Sequence, residues 1–127
     1  MSRKTVATTA APAAIGPYSQ AVIHNGLLFC SGQIPLDPAT GELIGENPAE
    51  QARQCLTNLQ ALCAAAGSEL ARAVKVTVYL ADMAAFAEVN EVYAGFFPSE
   101  PPARVAIAAA GLPKGALVEI DAIVAVD

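Results

Sequence analysis

Pro101–Asp127, PPARVAIAAAGLPKGALVEIDAIVAVD, contains two strand-like segments, Ala103–Ala108 and Ala116–Val126, joined by the loop AGLPKGA. Arg104 lies in the first segment and Glu119 in the second, each among apolar neighbours that indicate burial. A charge taken out of water is costly unless it has a partner, so each side chain needs a counter-charge or a ligand. Two interpretations are open. Either a guanidinium binds an anion beside a carboxylate that handles protons, or a buried ion pair holds these two strands in register.

Upstream of this segment, turn signals and hydrophobic periodicity predict further strands and two helices. Asn25-Gly26 between apolar runs is typical of a β-hairpin. Asn47, Pro48 and Glu50 are typical of a helix start. The predicted elements are strands Thr5–Thr8, Ala21–His24 and Leu27–Ser31, a helix between Asn47 and Gly67, strand Ala73–Leu80, and a helix between Asp82 and Pro98. No repeat or linker interrupts them, so residues 1–127 are expected to form one domain.

Two helices cover only one face of such a sheet. The outward residues of the last predicted strand indicate the character of the other face. Its outward series, Leu117, Glu119, Asp121 and Ile123, is too apolar for a fully solvated surface. Charged residues make up only 15% of the chain, against about a quarter in ordinary globular proteins. The sequence therefore predicts an α+β fold whose open sheet face packs in an oligomer, with a ligand site in the cleft between subunits.

Charge and cysteine usage exclude several classes of function. The net charge is −5 and the few basic residues are scattered, which argues against a nucleic-acid surface. No apolar run reaches the ~18 residues of a membrane span. The chain has one histidine and three cysteines without CxxC spacing, so no metal site or disulfide is expected. The N-terminal MSRKTVATTAAPAAIG lacks the apolar centre of a signal peptide, and a cytoplasmic location is expected.

Four further polar or flexible positions are candidate site residues. Tyr18 lies in the turn GPYSQ, which either presents its hydroxyl or packs its ring. Ser31 and Gly32 follow a buried strand, where glycine either admits a ligand close to the backbone or merely ends the strand. Asn90 lies in mid-helix among apolar residues and either contacts a ligand or fixes a neighbouring loop. The residues alone leave these alternatives open.

Longer segments carry a family resemblance: APAAIGPYSQAV, LLFCSGQIPLDPATGEL, QARQCLTNLQALCAAAGS, VKVTVYLADMAAFAEVNEVYAGFF, PPAR and LPKGALVEIDAIV. Together they resemble the Rid (RidA/YjgF-like) family of reactive-intermediate deaminases, from about Thr5 to the C-terminus and without insertions. PPAR followed by LPK and VEI is the most specific part, and IGPYSQA and SGQIP reinforce it.

The resemblance implies a chorismate-mutase-like (YjgF-like) α+β fold with a mixed sheet, and a homotrimer with its sites in the clefts between subunits. It also implies cofactor-free hydrolysis of 2-enamine and 2-imine carboxylates, such as 2-iminobutanoate and 2-iminopropanoate, to 2-oxo acids and ammonia. Pyridoxal-phosphate enzymes that act on serine and threonine release such intermediates, which damage other enzymes of that kind. The implied role in amino-acid metabolism is either metabolite damage control or a dedicated catabolic step, and the sequence leaves both open.

Carried over position by position, the resemblance assigns carboxylate binding to Arg104 and water handling to Glu119. The other matches are Tyr18 for the tyrosine of the site, Ser31 and Gly32 for its backbone-lined wall, and Asn90 for a residue close to it. Archetypal members have a cysteine two residues after the arginine, where this chain has Ala106. Imine hydrolysis does not need that thiol, but thiol-dependent regulation, chaperone behaviour and pocket shape are put in question.

Two other functions compete with the deaminase. A non-catalytic trimer that senses or binds small acids would use the same arginine simply to hold a 2-oxo acid. Relatives have also been described as translation inhibitors with ribonuclease activity, which the acidic charge and the absence of a basic patch disfavour.

Overall fold

Six strands and two helices follow the predicted order in a computed structural model, which describes residues 2–127. The strands are β1 (Lys4–Val6), β2 (Ala21–His24), β3 (Leu27–Gln33), β4 (Ala73–Leu80), β5 (Ala103–Ala108) and β6 (Val118–Ala125). The helices are α1 (Pro48–Ala65) and α2 (Phe86–Phe96). Short 3₁₀ turns occupy Leu70–Arg72, Met83–Ala85 and Pro113–Gly115.

The strands form one mixed sheet in the order β1-β2-β3-β6-β4-β5. Every neighbouring pair is antiparallel except β4 and β5, which are parallel. Helix α1 packs on β3 and β6 and against α2, so the core lies between the helices and one face of the sheet. Leu28, Leu59, Val76 and Ile120 are fully buried there. The predicted α+β architecture, with helices on one face of a mixed sheet, is confirmed.

Local signals placed the hairpin and the first helix correctly. Asn25 and Gly26 have φ values of 52° and 75°, the left-handed pair that a two-residue hairpin turn requires. Asn47 Oδ1 accepts a hydrogen bond from the Glu50 N–H at 2.9 Å and so caps α1. The Glu50 carboxylate in turn accepts from the N–H of Glu46, at 2.7 Å, instead of from that of Asn47.

Several predicted boundaries differ from the observed ones. The first strand is Lys4–Val6, not Thr5–Thr8, because Thr8 donates its N–H to the Gln20 side chain. Asp82 caps the 3₁₀ turn Met83–Ala85, which leads into α2. The last strand begins at Val118, after the Leu117 N–H has bonded to the Gln51 side chain instead of a strand. No helix within residues 2–127 is long and apolar enough to cross a bilayer.

The face of the sheet opposite the helices exposes large apolar side chains. Phe29 of β3 is 42% exposed, and Val105 and Ile107 of β5 are 40% and 44% exposed. All three side chains point away from the helices, because the residues opposite them on the neighbouring strands belong to this open face. The apolar open face that the sequence predicted is therefore present, and its packing in an oligomer stays a prediction.

Candidate active site

A cleft of about 500 Å³ opens where the ends of β3 and β6 meet the loops before β2 and before β6. Its polar lining includes the Tyr18 ring, Ser31, Gly32, Lys114 and the Glu119 carboxylate. Tyr18 is 51% exposed, so much of this residue is open to solvent at the cleft. The structure thus brings together four residues singled out in the sequence: Tyr18, Ser31, Gly32 and Glu119.

Glu119 occupies the space that a side chain at position 32 would need. A Cβ built on Gly32 would overlap Glu119 Oε2 and would lie 3.1 Å from Glu119 Cδ. The pairing of β3 with β6 is irregular between Cys30 and Gln33, which bends the backbone at this point. Glycine at position 32 therefore leaves room for the Glu119 carboxylate. The sequence suggests that this glycine lets a ligand approach the backbone, whereas the structure shows that a side chain of the protein fills the space.

Gly32→Ala is expected to displace the Glu119 carboxylate and to lower the free energy of unfolding by about 1–3 kcal/mol through overpacking. Urea unfolding measures the loss, and carboxyl-detected NMR reports the altered surroundings of Glu119. Gly95→Ala is the matched control, because a Cβ at Gly95 of α2 meets nothing within 4 Å. That control is expected to be neutral or stabilising. Equal stability of wild type and Gly32→Ala, with an unmoved Glu119, would contradict the packing argument.

The Glu119 carboxyl is half-buried on the open face of β6. Burial raises its pKa above the ordinary value, and the negative charge of Asp121, two residues along the same face, raises it further. Asp121 Oδ2 accepts a hydrogen bond of 2.9 Å from the Tyr79 hydroxyl. Tyr79 lies directly opposite Glu119 on β4. A carboxyl group with a raised pKa in a cleft is suited to accepting and returning a proton.

Because the pKa of Glu119 is raised in the folded state, the unfolded state ionises this group more readily. The folded protein then binds more protons than the unfolded one between the ordinary and the raised pKa, so stability falls as pH rises through that window. Glu119→Gln is therefore expected to be more stable than wild type at neutral pH. The difference should vanish below the ordinary glutamate pKa of about 4.3. Urea midpoints across this pH range test it, and a variant less stable at neutral pH would refute the sign.

Three buried amide side chains hold the loops that form the cleft. Gln20 donates to the carbonyl oxygens of Ala11 and Pro12, at 3.3 and 2.8 Å. Asn58 of α1 donates to the Leu36 carbonyl at 3.1 Å. The Gln51 side chain accepts from the N–H of Leu117, at 2.8 Å, and donates to Gly45 O at 3.2 Å; these are the loops before β6 and α1. Each amide is nearly inaccessible to solvent, so the walls of the cleft are fixed by satisfied internal hydrogen bonds.

Arg104 lies outside this cleft. It projects from the edge strand β5 toward α2, where its Nη1 donates to Asn90 Oδ1 at 2.7 Å. Its guanidinium carbon lies 4.8 Å from the centroid of the Tyr93 ring and 5.4 Å from that of Phe86. Arg104 is exposed within a single chain, so the burial expected from its apolar sequence neighbours is wrong at this level. Asn90 does not line the Glu119 cleft either, and it contacts Arg104 instead.

The two charged residues of the C-terminal quarter do not form an ion pair within one chain. Strand β4 lies between β5 and β6, with Arg104 opposite Val76 and Glu119 opposite Tyr79. Successive side chains of a strand alternate between faces, so Arg104 is on the helix face and Glu119 is on the open face. The alternative that an ion pair holds the last two strands in register is therefore wrong.

Some residues that line the cleft or contact Arg104 were not singled out as site residues in the sequence. Lys114 lines the cleft beside Glu119 from a left-handed backbone conformation, with φ 57°, and its Nζ donates to Gly41 O at 3.3 Å. Its place in a turn before a strand carries no signal that could separate it from an ordinary surface lysine. In the sequence, Phe86 and Tyr93 have the apolar spacing of core positions in α2. Only their spacing relative to Asn90 indicates that the three residues share one face of the helix.

Among residues 2–127, no three His, Cys, Asp or Glu side chains cluster as a metal ion would require. The mixed sheet with two helices on one face, and a cleft at the end of the open face, defines the chain as an α+β protein of the chorismate-mutase-like (YjgF-like) class. The family model described as Endoribonuclease L-PSP matches residues 8–126. The chain belongs to this family, the Rid or YjgF/RidA family.

Relatives of known name are similar over almost the whole chain. The 2-iminobutanoate/2-iminopropanoate deaminase of Bos taurus is 50% identical over 121 residues, which cover 95% of this chain and 88% of that protein. The RutC family protein y4sK of Sinorhizobium fredii is 54% identical over 119 residues, 94% of each chain. The crystal structure of E. coli TdcF with bound serine superposes with a TM-score of 0.92 at 40% identity, covering 98% of this chain and 99% of that one.

Proposed function

We propose that this protein hydrolyses reactive 2-imine and 2-enamine carboxylates, such as 2-iminobutanoate and 2-iminopropanoate, to 2-oxo acids and ammonia. The observation that carries the proposal is the Glu119 carboxyl of raised pKa, held against Gly32 in a cleft with Tyr18 and Ser31. Relatives that bear the deaminase name at about half identity support this choice of substrate class.

The reaction requires a water molecule at C2 and a proton at the departing nitrogen. Glu119 takes a proton from water as the oxygen attacks C2 of the protonated imine, and the C=N double bond becomes a single bond. The carboxyl then returns the proton to nitrogen, and the C–N bond breaks with its electron pair going to the departing ammonia. The Glu119 carboxylate takes the proton of the C2 hydroxyl group, whose oxygen becomes the carbonyl, and passes that proton to solvent. An enamine substrate first accepts a proton at C3 to give the same imine. Such proton handling is typically worth about 10²–10⁴-fold.

Arg104 is proposed to bind the substrate carboxylate. A guanidinium matches a carboxylate with two parallel hydrogen bonds, and its charge draws electron density from the adjacent C2. Tyr18 and Ser31 are proposed to orient the nitrogen and the attacking water, since their side chains line the cleft beside Glu119. Ser31 Oγ itself donates to the Ser19 carbonyl at 2.6 Å, which fixes its position.

Arg104 and Glu119 lie on opposite faces of one sheet, so one chain alone does not offer both to the same small molecule. We propose a homotrimer in which the cleft of one subunit receives Arg104 from its neighbour. The apolar open face, with Phe29, Val105 and Ile107 exposed in a single chain, supports burial of this face between subunits. Closed rings of identical chains place the same residue pair at every boundary.

A second candidate is a non-catalytic trimer that binds small acids. The relative crystallised with bound serine favours it, because serine carries the same carboxylate and nitrogen without being an imine. The two functions share the binding residues, and they differ in whether the bound molecule is turned over.

The test is hydrolysis of 2-iminopropanoate and 2-iminobutanoate generated in situ by a serine or threonine dehydratase. Trapping the remaining imine with semicarbazide measures how fast it disappears. Acceleration above the buffer rate in proportion to protein concentration supports the deaminase. A rate equal to buffer, together with carboxylate binding in calorimetry, assigns the small-acid-binding function instead. Mass photometry or light scattering measures the subunit number, and a monomer would contradict the shared site.

A further inference from the structure

Arg104 is an exposed residue of an edge strand, yet three side chains of α2 hold its guanidinium group. Asn90 Oδ1 accepts a hydrogen bond from Nη1 at 2.7 Å, and the rings of Tyr93 and Phe86 lie 4.8 and 5.4 Å from the guanidinium carbon. Residues 86, 90 and 93 are four and three positions apart, so they share one face of the helix. The three side chains therefore form one continuous surface on α2 that contacts the guanidinium group.

Tyr93 gives this surface a rigid base. The residue is 5% exposed and belongs to the hydrophobic core. Its ring packs on that of Phe97, with centroids 4.7 Å apart and planes inclined at 40°. Its hydroxyl is buried and has no hydrogen-bond partner among the described residues. Contact with Arg104 is therefore made by the ring, and a phenylalanine at this position would preserve it.

We propose that Phe86, Asn90 and Tyr93 form an α2 clamp that orients the Arg104 guanidinium before any ligand arrives, with Tyr93 as a positioning residue. A free arginine side chain loses much rotamer freedom when it binds an anion, whereas a clamped one has lost that freedom on folding. Rings that pack against a guanidinium leave its in-plane N–H groups available, and Asn90 occupies one of them. The remaining donors of Arg104 make no hydrogen bond within residues 2–127 and are available for a carboxylate.

The kinetic consequence of the α2 clamp rests on the proposed function, because Arg104 must hold the substrate carboxylate for the clamp to affect turnover. The clamp variants keep Arg104, so a bound carboxylate still contacts the guanidinium in the substrate complex and in the transition state alike. Loss of the clamp therefore raises KM and changes kcat little. The freedom that an unclamped arginine side chain would lose on binding corresponds to about tenfold in affinity.

Four variants test the clamp in the imine assay. Tyr93→Leu removes the ring, and Asn90→Ala removes the acceptor. Each is expected to raise KM about tenfold with kcat within about twofold. Tyr93→Phe keeps the ring and is expected to retain the KM of the wild type. Phe86→Leu, at a half-buried position, provides a second ring deletion should Tyr93→Leu fail to fold. Folding is checked by circular dichroism and subunit number. A KM unchanged in both ring deletions, or raised equally in Tyr93→Phe, overturns the role of the ring.

A second measurement does not depend on the proposed function. In ligand-free protein with ¹⁵N-labelled arginine, NMR measures rotation about the Nε–Cζ bond of each guanidinium. Arg104 is expected to rotate at least tenfold more slowly than the exposed Arg53, and Tyr93→Leu and Asn90→Ala should each accelerate it. Slow rotation in a protein without imine hydrolysis would refute the proposed function and leave the clamp standing. Rotation as fast as that of Arg53 would overturn the clamp even in an active enzyme.

Discussion

Arg104→Ala is expected to lower kcat/KM for 2-iminopropanoate by about 10²–10³-fold, since truncating one partner of a hydrogen-bonded charge pair costs about 2–5 kcal/mol. The carboxylate then lies in the cleft without its counter-charge, and C2 is both less electrophilic and less well placed. The dehydratase-coupled assay measures the loss at substrate concentrations spanning KM.

The matched control is Arg53→Ala, because Arg53 lies on the exposed surface of α1 and does not line the Glu119 cleft. It removes the same charge from the chain and is expected to leave kcat/KM unchanged. Arg104→Lys separates charge from geometry. An ammonium group retains the charge without the planar fork, so about tenfold or more of the loss should persist. An Arg104→Ala protein as active as wild type would exclude this residue from substrate binding.

Glu119→Gln is expected to lower kcat by about 10²–10⁴-fold, because the amide accepts no proton from water. The variant keeps the shape of the side chain, so it still fits against Gly32. Its greater stability at neutral pH, expected from the raised pKa of Glu119, means that unfolding does not account for lost activity. Single-turnover measurements assign the loss to the chemical step.

Glu69→Gln controls for removal of one negative charge, since Glu69 is exposed ahead of β4 and lies outside the cleft. The pH dependence offers a further check. In wild type, kcat/KM should fall as pH drops through the raised pKa of Glu119, and this acid limb should be absent in the residual activity of Glu119→Gln. A persistent acid limb in the variant would assign the titration to another group.

Mixing the two inactive variants tests whether each site takes Arg104 and Glu119 from different subunits. After subunit exchange at equal amounts, about a quarter of the boundaries in a cyclic trimer would carry both native residues. Activity should therefore reappear in the mixture and not in either parent protein. No recovery after proven exchange would place both residues in one subunit's site and contradict the shared cleft.

The elements of this fold could be predicted because their signals are local. Asn25-Gly26 sets its own turn and Asn47 its own cap, whatever the rest of the chain does. The pairing of strands is not local. Nothing in the segments around Arg104 and Glu119 indicates that β4 lies between them, or which registers pair Arg104 with Val76 and Glu119 with Tyr79 and so put the two residues on opposite faces. The candidate residues were therefore found from the sequence, but their grouping into two separate environments was not.

The role of Gly32 could likewise be predicted only in part from the sequence. The sequence indicates a need for space beside the strand, and it does not tell whether a ligand or a side chain fills that space. The answer depends on the irregular pairing of β3 and β6, which brings the Glu119 carboxylate to this point. Lys114 was missed for a related reason, because a positive φ at a lysine is set by the surrounding loop and not by the residue itself.

The amides of Gln20, Gln51 and Asn58 that fix the loops of the cleft are uncharged at every accessible pH. Ionic strength and acidity therefore act on the bound anion and on the carboxyl group, and leave the shape of the receptor almost unchanged. A salt titration of substrate affinity would consequently report the proposed attraction between Arg104 and the substrate carboxylate, with little contribution from loop rearrangement.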